Sequence, residues 1–279
     1  METKIVYPDD LSDEEWDLIK HLVPKGKSGG RPPTDRRQVL NAIFYILRSG
    51  CSWRMLPKDY PKWQTVYGLF RKWKRRGIIK KIHDCLREQV RQKEGRKKAP
   101  TAMIIDSQSV KTTDKRGLYG FDAAKKIKGR KRHIITDTQG LLLKVKVHAA
   151  DIMDREGARL VLRGIKKQYP TIEHLWQDTA YHCKNLNDYS EARGWTVQTI
   201  KRSRSRFRII EGQFLVEVEK SKFEVLPRRW VVERTFGWFS RYRRLSKDYE
   251  FSPDTSENMI YLAMIRNMLR RLTRRSKSF

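Results

Sequence analysis

The sequence predicts a mixed α+β / α/β protein: a helical region over residues 1–95, then a mixed sheet flanked by helices over residues 101–279, with a basic insertion near 201–227. Three observations carry this. Apolar residues recur at helical spacing through the first hundred residues. After Pro100 the pattern changes to short apolar runs that read as antiparallel strands. Further along, strands alternate with helices, which adds parallel strands to the same sheet.

Ser12 begins the first helix, with Glu15 three positions later as a capping box, and Trp16, Leu18, Ile19 and Leu22 supply its apolar side. A Gly/Pro-rich break (PKGKSGGRPP) follows. Thr34 is the expected cap of a second helix over 35–48, mostly buried through Val39, Leu40, Ile43, Phe44, Ile46 and Leu47. Residues 49–61 form a turn-rich connector. The third helix, over 62–76, places Trp63, Val66, Tyr67, Phe70 and Trp73 on one side and Gln64, Thr65, Arg71, Lys72, Lys74 and Arg75 on the other. An apolar-backed, basic-fronted helix resembles a helix-turn-helix recognition helix, so Gln64, Thr65, Arg71, Lys72 and Arg75 are candidate DNA contacts; the alternative is a plain basic bundle. Trp53 and Trp63 read as core. A fourth helix over 78–92 leads into the basic linker RQKEGRKKAP.

TAMIIDSQSV is an apolar run ending in Asp106. KRHIITDTQG and LLLKVKVHAAD form a hairpin through Thr138-Gln139-Gly140. A helix over 154–167, a strand ending at Asp178 (EHLWQD), a helix over 184–192 and a strand (TVQTIKR) follow. The basic stretch 201–222 reads as a loop-rich excursion. Two helices complete the pattern, one over 228–245 carrying Glu233 and one over 256–272.

The formal net charge of +30 is spread along the whole chain, so a long polyanion is the natural partner. The abundant aromatics exclude a wholly disordered protein. Three isolated cysteines argue against a disulfide framework. His174, His182 and Cys183 lack a second close pair, which argues against zinc. The acidic N-terminus lacks an apolar signal core, and no apolar run is long enough to span a bilayer.

Asp106 and Asp178 stand at expected strand ends, where ligands bind in open α/β sheets, and Glu233 projects from a later helix. Arg229, Glu233, Gly237 and Ser240/Arg241 share one helical face. Singly, each acid has a structural alternative: a turn cap for either aspartate, an Arg229–Glu233 ion pair for the glutamate. Together they form a hard-oxygen donor set for divalent cations beside arginines that hold a nucleic-acid backbone. Asp137, Asp151 and Asp154 compete for the second position. Arg229, Arg234 and Arg241 are candidate phosphate contacts, as is a basic loop containing Lys125, Lys126, Lys128, Arg130, Lys131 and Arg132.

The stretches MIIDSQSVK, GRKRHIITDTQGLLL, LWQDTAYH and RRWVVERTFGWFSRYRRLSKDYE resemble those of DDE transposases of bacterial insertion sequences, in the insertion-sequence-five branch, over essentially the full chain. The resemblance implies a ribonuclease H-like catalytic domain. Asp106, Asp178 and Glu233 would be its catalytic triad and the ligands of two Mg²⁺ ions, for which Mn²⁺ can substitute. It also implies double-stranded DNA as substrate, both as inverted repeats at the element's ends and as target. Pairing two ends implies a homodimer. A cytoplasmic, nucleoid-associated protein of a bacterium or archaeon is expected. The family's Tyr-x2-Arg-x3-Glu-x6-Lys signature is only partly kept. Arg229 and Glu233 match, Leu226 and Ser240 replace the tyrosine and lysine, and Arg241 is the nearest cation. Around the second acid, Asp178-Thr179-Ala180-Tyr181 replaces Asp-x-Gly-Tyr. The rivals are a DNA-binding repressor or domesticated transposase without cleavage, and a structure-specific nuclease.

Overall fold

The structure, a computed structural model, describes residues 7–26, 33–113, 117–200 and 229–274. Helices α1 (Asp13–Ile19), α2 (Arg36–Ser49), α3 (Trp63–Arg75) and α4 (Ile78–Lys93) come first. Strands β1 (Ala102–Lys111), β2 (Gly120–Asp122), β3 (Ile127–Thr136) and β4 (Leu142–Ala149) follow. Then come α5 (Asp154–Leu162), α6 (Ile165–Gln168), β5 (His174–Asp178), α7 (Lys184–Glu191), β6 (Thr196–Ile200), α8 (Arg229–Ser240) and α9 (Pro253–Thr273). The expected basic excursion at 201–227 lies outside the described residues. Among those described, no helix is long and apolar enough to cross a membrane.

The capping box forms: Ser12 Oγ accepts from Glu15 N, and Glu15 Oε2 accepts from Ser12 N, both at 3.1 Å. The cap of α2 is Asp35 rather than Thr34, its carboxylate accepting from Arg37 N at 2.8 Å; aspartate is the stronger capping residue of the two. The expected helix over 154–167 is broken in two at Gly164, whose φ of +77° ends α5. Between α2 and α3 the connection spans residues 50–62 with a 3₁₀ turn at Trp53–Met55, longer than the three- or four-residue turn of a tight helix-turn-helix.

The sheet runs β4-β3-β1-β5-β6, with β2 pairing the start of β3 on the side away from β1. β1, β3 and β4 are antiparallel, whereas β5 and β6 run parallel to β1. The hairpin expected at 138–140 closes through Asp137, whose Oδ1 accepts from Gln139 N and Leu141 N at 2.9 Å each, with Gly140 at φ +75°.

Alternate residues of β1 serve two cores. Ile104 packs with Ile134, Leu142, α8, α9 and the N-terminal helices. Met103 and Ile105 pack with α5, Leu175, Tyr181 and Trp195 on the other face. α9 is buried on nearly every side, with Met259 to Ile265, Met268 and Leu269 all in the first core. Its Arg266 meets Glu15 at 2.5 Å and its Arg270 meets Asp9 at 2.6 Å, fastening the N-terminal segment to this helix.

Candidate active site

β1 and β5 pair in parallel only from Ala102 opposite His174 to Ile104 opposite Trp176. Two residues further along each strand, Asp106 and Asp178 stand level with one another where the strands part. Both have the same strand parity as Ile104 and Trp176, which pack on the α8–α9 side. Asp178 is the last residue of β5. Asp106 is not at a strand end as expected: β1 continues to Lys111 because β3 keeps pairing with it as far as Gly129. Local donors orient both carboxylates. Asp106 Oδ1 accepts from Ser107 N at 2.7 Å, and Asp178 Oδ1 accepts from Thr179 N at 2.5 Å and Thr179 Oγ1 at 2.8 Å.

Glu233 rides on α8, which packs against β1. Val231, Val232, Thr235 and Phe239 face inward, leaving Glu233, Gly237, Ser240 and Arg241 exposed, as the helical spacing predicted. The β3–β4 turn fixes the position of α8: Thr235 Oγ1 donates to Gly140 O at 2.7 Å and Arg234 Nη2 to Gln139 O at 2.8 Å. Among the described residues, no three of His, Cys, Asp and Glu are gathered closely enough to hold a metal ion. The fold therefore brings Asp106 and Asp178 together and lays the helix of Glu233 over the same sheet face, without drawing the three carboxylates into one cluster.

Behind β1, a second polar group fixes the backbone that carries Asp106. Ser107 Oγ donates to Asp154 Oδ1 at 3.0 Å and Ser109 Oγ to Asp122 Oδ2 at 2.6 Å. The Lys131 ammonium lies between the two carboxylates, 3.1 Å from Asp154 and 3.6 Å from Asp122. Nearby, His133 Nδ1 and His148 Nε2 are 2.8 Å apart. Burial keeps both imidazoles below their ordinary pKa. Tyr181 is buried beside this group. Burial, then the carboxylates of Asp106, Asp154 and Asp178, push its phenol well above the ordinary range. Tyr181 had no assigned role in the sequence; only its match to the tyrosine of the family's Asp-x-Gly-Tyr pattern marked it. Ala180, where the family has glycine, is not at positive φ, so the turn accommodates its Cβ.

Of the competing acids, Asp137 is fully buried and committed to Arg91 and the hairpin turn. Asp154 is engaged by Ser107 and Lys131. Asp151 is exposed and lies against Gly120.

The basic residues divide sharply. On α3, Gln64, Thr65, Arg71, Lys72 and Arg75 are exposed above buried Val66, Phe70 and Trp73. Lys74, by contrast, is tied to Asp254 of α9 at 2.7 Å. The expected basic loop is corrected: Arg130, Lys131 and Arg132 lie on β3, only 1%, 4% and 1% exposed. Arg130 donates to the carbonyls of Leu118, Glu250 and Phe251, and Arg132 to those of Leu245 and Lys247. Neither presents its charge to a ligand. Lys128 remains exposed. Arg234 is an internal clamp, held between the rings of Trp230 and Trp238 at 4.5 and 5.1 Å. The side chain of Arg229 lies outside the described residues.

Residues 11–83 match the family described as "Putative transposase of IS4/5 family", and residues 97–268 the family described as "Transposase DDE domain". The chain is similar to the uncharacterized protein y4sN of Sinorhizobium fredii, 35% identical over 72 residues that make up 25% of this chain and 58% of that protein. It is also similar to the insertion element IS402 uncharacterized 16.2 kDa protein of Burkholderia cepacia, 31% identical over 88 residues, 29% of this chain and 60% of that protein. The chain thus spans about three fifths of the length of these curated relatives. With a ribonuclease H-like mixed sheet carrying paired aspartates, and a family match covering more than half its length, the chain belongs to the Transposase DDE domain family.

Proposed function

We propose that the protein is a transposase that binds the terminal inverted repeats of its element and catalyses Mg²⁺-dependent DNA cleavage and strand transfer. The observation that carries this is the register of Asp106 and Asp178, level on neighbouring parallel strands under the helix that bears Glu233. Their oxygens suit hard divalent cations. Asp106 and Asp178 would hold Mg²⁺, or Mn²⁺ in its place, with Glu233 having to move in from α8 to complete the set; when bound, such ions lower the pKa of an attacking water or hydroxyl and stabilise the leaving oxygen. Water would displace the 3′-oxygen at an element end, and the freed 3′-hydroxyl would then displace an oxygen in target DNA, with no covalent protein intermediate. Residues 1–95 are the proposed DNA-reading part, through α3, and residues 101–279 the catalytic part. Arg229 and Arg241 are proposed phosphate contacts beside Glu233. Two ends held together would require a homodimer, acting at the cytoplasmic nucleoid.

The test is cleavage of a labelled DNA fragment carrying the ends of the gene's own locus, with Mg²⁺. Wild type is compared with Asp106→Asn, Asp178→Asn and Glu233→Gln, which keep size but remove charge. Nicking at the ends that each change abolishes, with DNA binding retained, is the expected result. Binding without cleavage by wild type would leave a sequence-specific DNA-binding protein. Cutting without any need for those ends would leave a nuclease. Activity that survives Asp178→Asn alone would move the second role to Asp154, the other carboxylate beside Tyr181.

A further inference from the structure

The β2–β3 hairpin presents a surface that the site above does not use. Tyr119 and Phe121 flank Gly120 and so share one face; they are 49% and 55% exposed. Lys128 stands directly opposite Phe121 on β3, on that same face, with its ammonium 5.2 Å from the Tyr119 ring centre. Lys125 and Lys126 are exposed in the turn, and Leu118 extends the apolar patch. Exposed aromatics on a loose loop would fold inward. Here the backbone beneath them is pinned. Arg130 Nε donates to Leu118 O at 2.7 Å, while Asp122 accepts from Ser109 Oγ at 2.6 Å and Lys125 N at 3.1 Å. Gly120 is packed so tightly that a Cβ there would come 2.1 Å from Asp151 Oδ1. Ser109 belongs to the strand of Asp106, and the Lys125 ammonium reaches Ser107 O at 3.5 Å. The aromatic face is thus rigidly joined to the strand that carries the first aspartate.

We propose that this hairpin is a stacking platform for unpaired bases of a DNA single strand, with Lys125, Lys126 and Lys128 holding its phosphates; this rests on the DNA-processing reading above. Every base has a π face, so rigid aromatics set among cations suit single strands of any sequence. A duplex keeps those faces stacked and offers only base edges in its grooves. A cleft of about 510 Å³ opens beside the hairpin, lined by Phe121, Lys125 and Ala180 together with the carboxylates of Asp122, Asp151 and Asp154.

The test uses the full chain with a labelled oligothymidine and, separately, a duplex of the same length, read by fluorescence anisotropy without divalent cations. Tyr119→Ala/Phe121→Ala should weaken single-strand binding about tenfold or more and leave duplex binding within about twofold. Phe121→Trp should retain single-strand affinity, and Phe121→Leu, apolar but unable to stack, should lose it. Unchanged binding by the double variant, equal losses on strand and duplex, or full affinity in Phe121→Leu would overturn the platform. So would a dimer that the double variant dissociates while single-strand binding stays intact, which would assign the face to a second copy. Duplex binding by wild type without single-strand binding defeats the hairpin alone; failure to bind either DNA defeats the DNA-processing reading itself.

Discussion

Helix α3 and strand β3 are both written as basic runs, WQTVYGLFRKWKR and IKGRKRHIIT, yet the fold uses their charges in opposite ways. On α3 the 3.6-residue period gathers the cations on one side, over a single buried stripe, and solvent covers them. On β3 the two-residue period sends Arg130 and Arg132 toward the α9 side and Lys131 and His133 toward the α5 side. Helices cover both faces of this interior strand from Arg130 onward, so Arg130, Lys131 and Arg132 are all buried, and only Lys128 near its start stays exposed. A charged run on a helix is a surface; on a doubly covered strand it becomes internal wiring. Carbonyls of residues 245, 247, 250 and 251 take up the arginine donors, so β3 holds the segment that links α8 to α9.

The largest expected effect is on that wiring. Arg130→Ala removes the ion-pair partner of buried Asp248, 3.2 Å away, leaving that carboxylate only Ser256 Oγ and Glu250 N, and takes the donors from several carbonyls. Denaturant unfolding should show a loss of about 3–5 kcal/mol, and a loss below about 1 kcal/mol would erase the contrast between the two segments.

An intermediate effect is acid sensitivity. His133 and His148 are neutral in the fold, with pKa values lowered chiefly by burial, whereas the unfolded chain protonates them near about 6.5. Below that pH the unfolded state binds more protons, so stability is full above it and falls as pH drops toward the folded values. The slope should reach up to about 1.4 kcal/mol per pH unit for each histidine. Urea midpoints measured from pH 7.5 to 5 check this, and His133→Gln should flatten the slope.

The smallest effect on stability belongs to α3. Arg71→Ala/Lys72→Ala should change it by less than about 0.5 kcal/mol. The same pair should weaken DNA binding and reduce the log–log salt slope by roughly one for each phosphate no longer neutralised. A large drop in melting temperature would show that this face is structural after all.

What the sequence made legible was local. The Ser12–Glu15 box, the Asp137–Gly140 turn and the two-sided α3 are each specified by residues within a few positions of one another. The strand carrying Asp178 and the helix carrying Glu233 were legible for the same reason. β2 was not: three residues, GFD, cannot display a period, and only the pairing with β3 defines it. Nor could sequence reveal the burial of Arg130 and Arg132, because, Leu118 apart, their acceptors lie more than a hundred residues further along the chain. Tyr181 gains its place beside three carboxylates only when β1, β5 and α5 come together.

The depth at which α9 is set also imposes an order on synthesis. The N-terminal helices leave the ribosome with Val39, Ile43, Phe70 and Leu86 awaiting partners, some of which lie in residues 253–273. At roughly 5–20 residues per second, the wait between α4 and α9 is on the order of ten to forty seconds. Throughout that interval the nascent chain displays an unfinished apolar face, and Asp9 and Glu15 lack their α9 arginines, Arg270 and Arg266. The first core can close only once the last long helix has been made, so the N-terminal helices reach their final packing late.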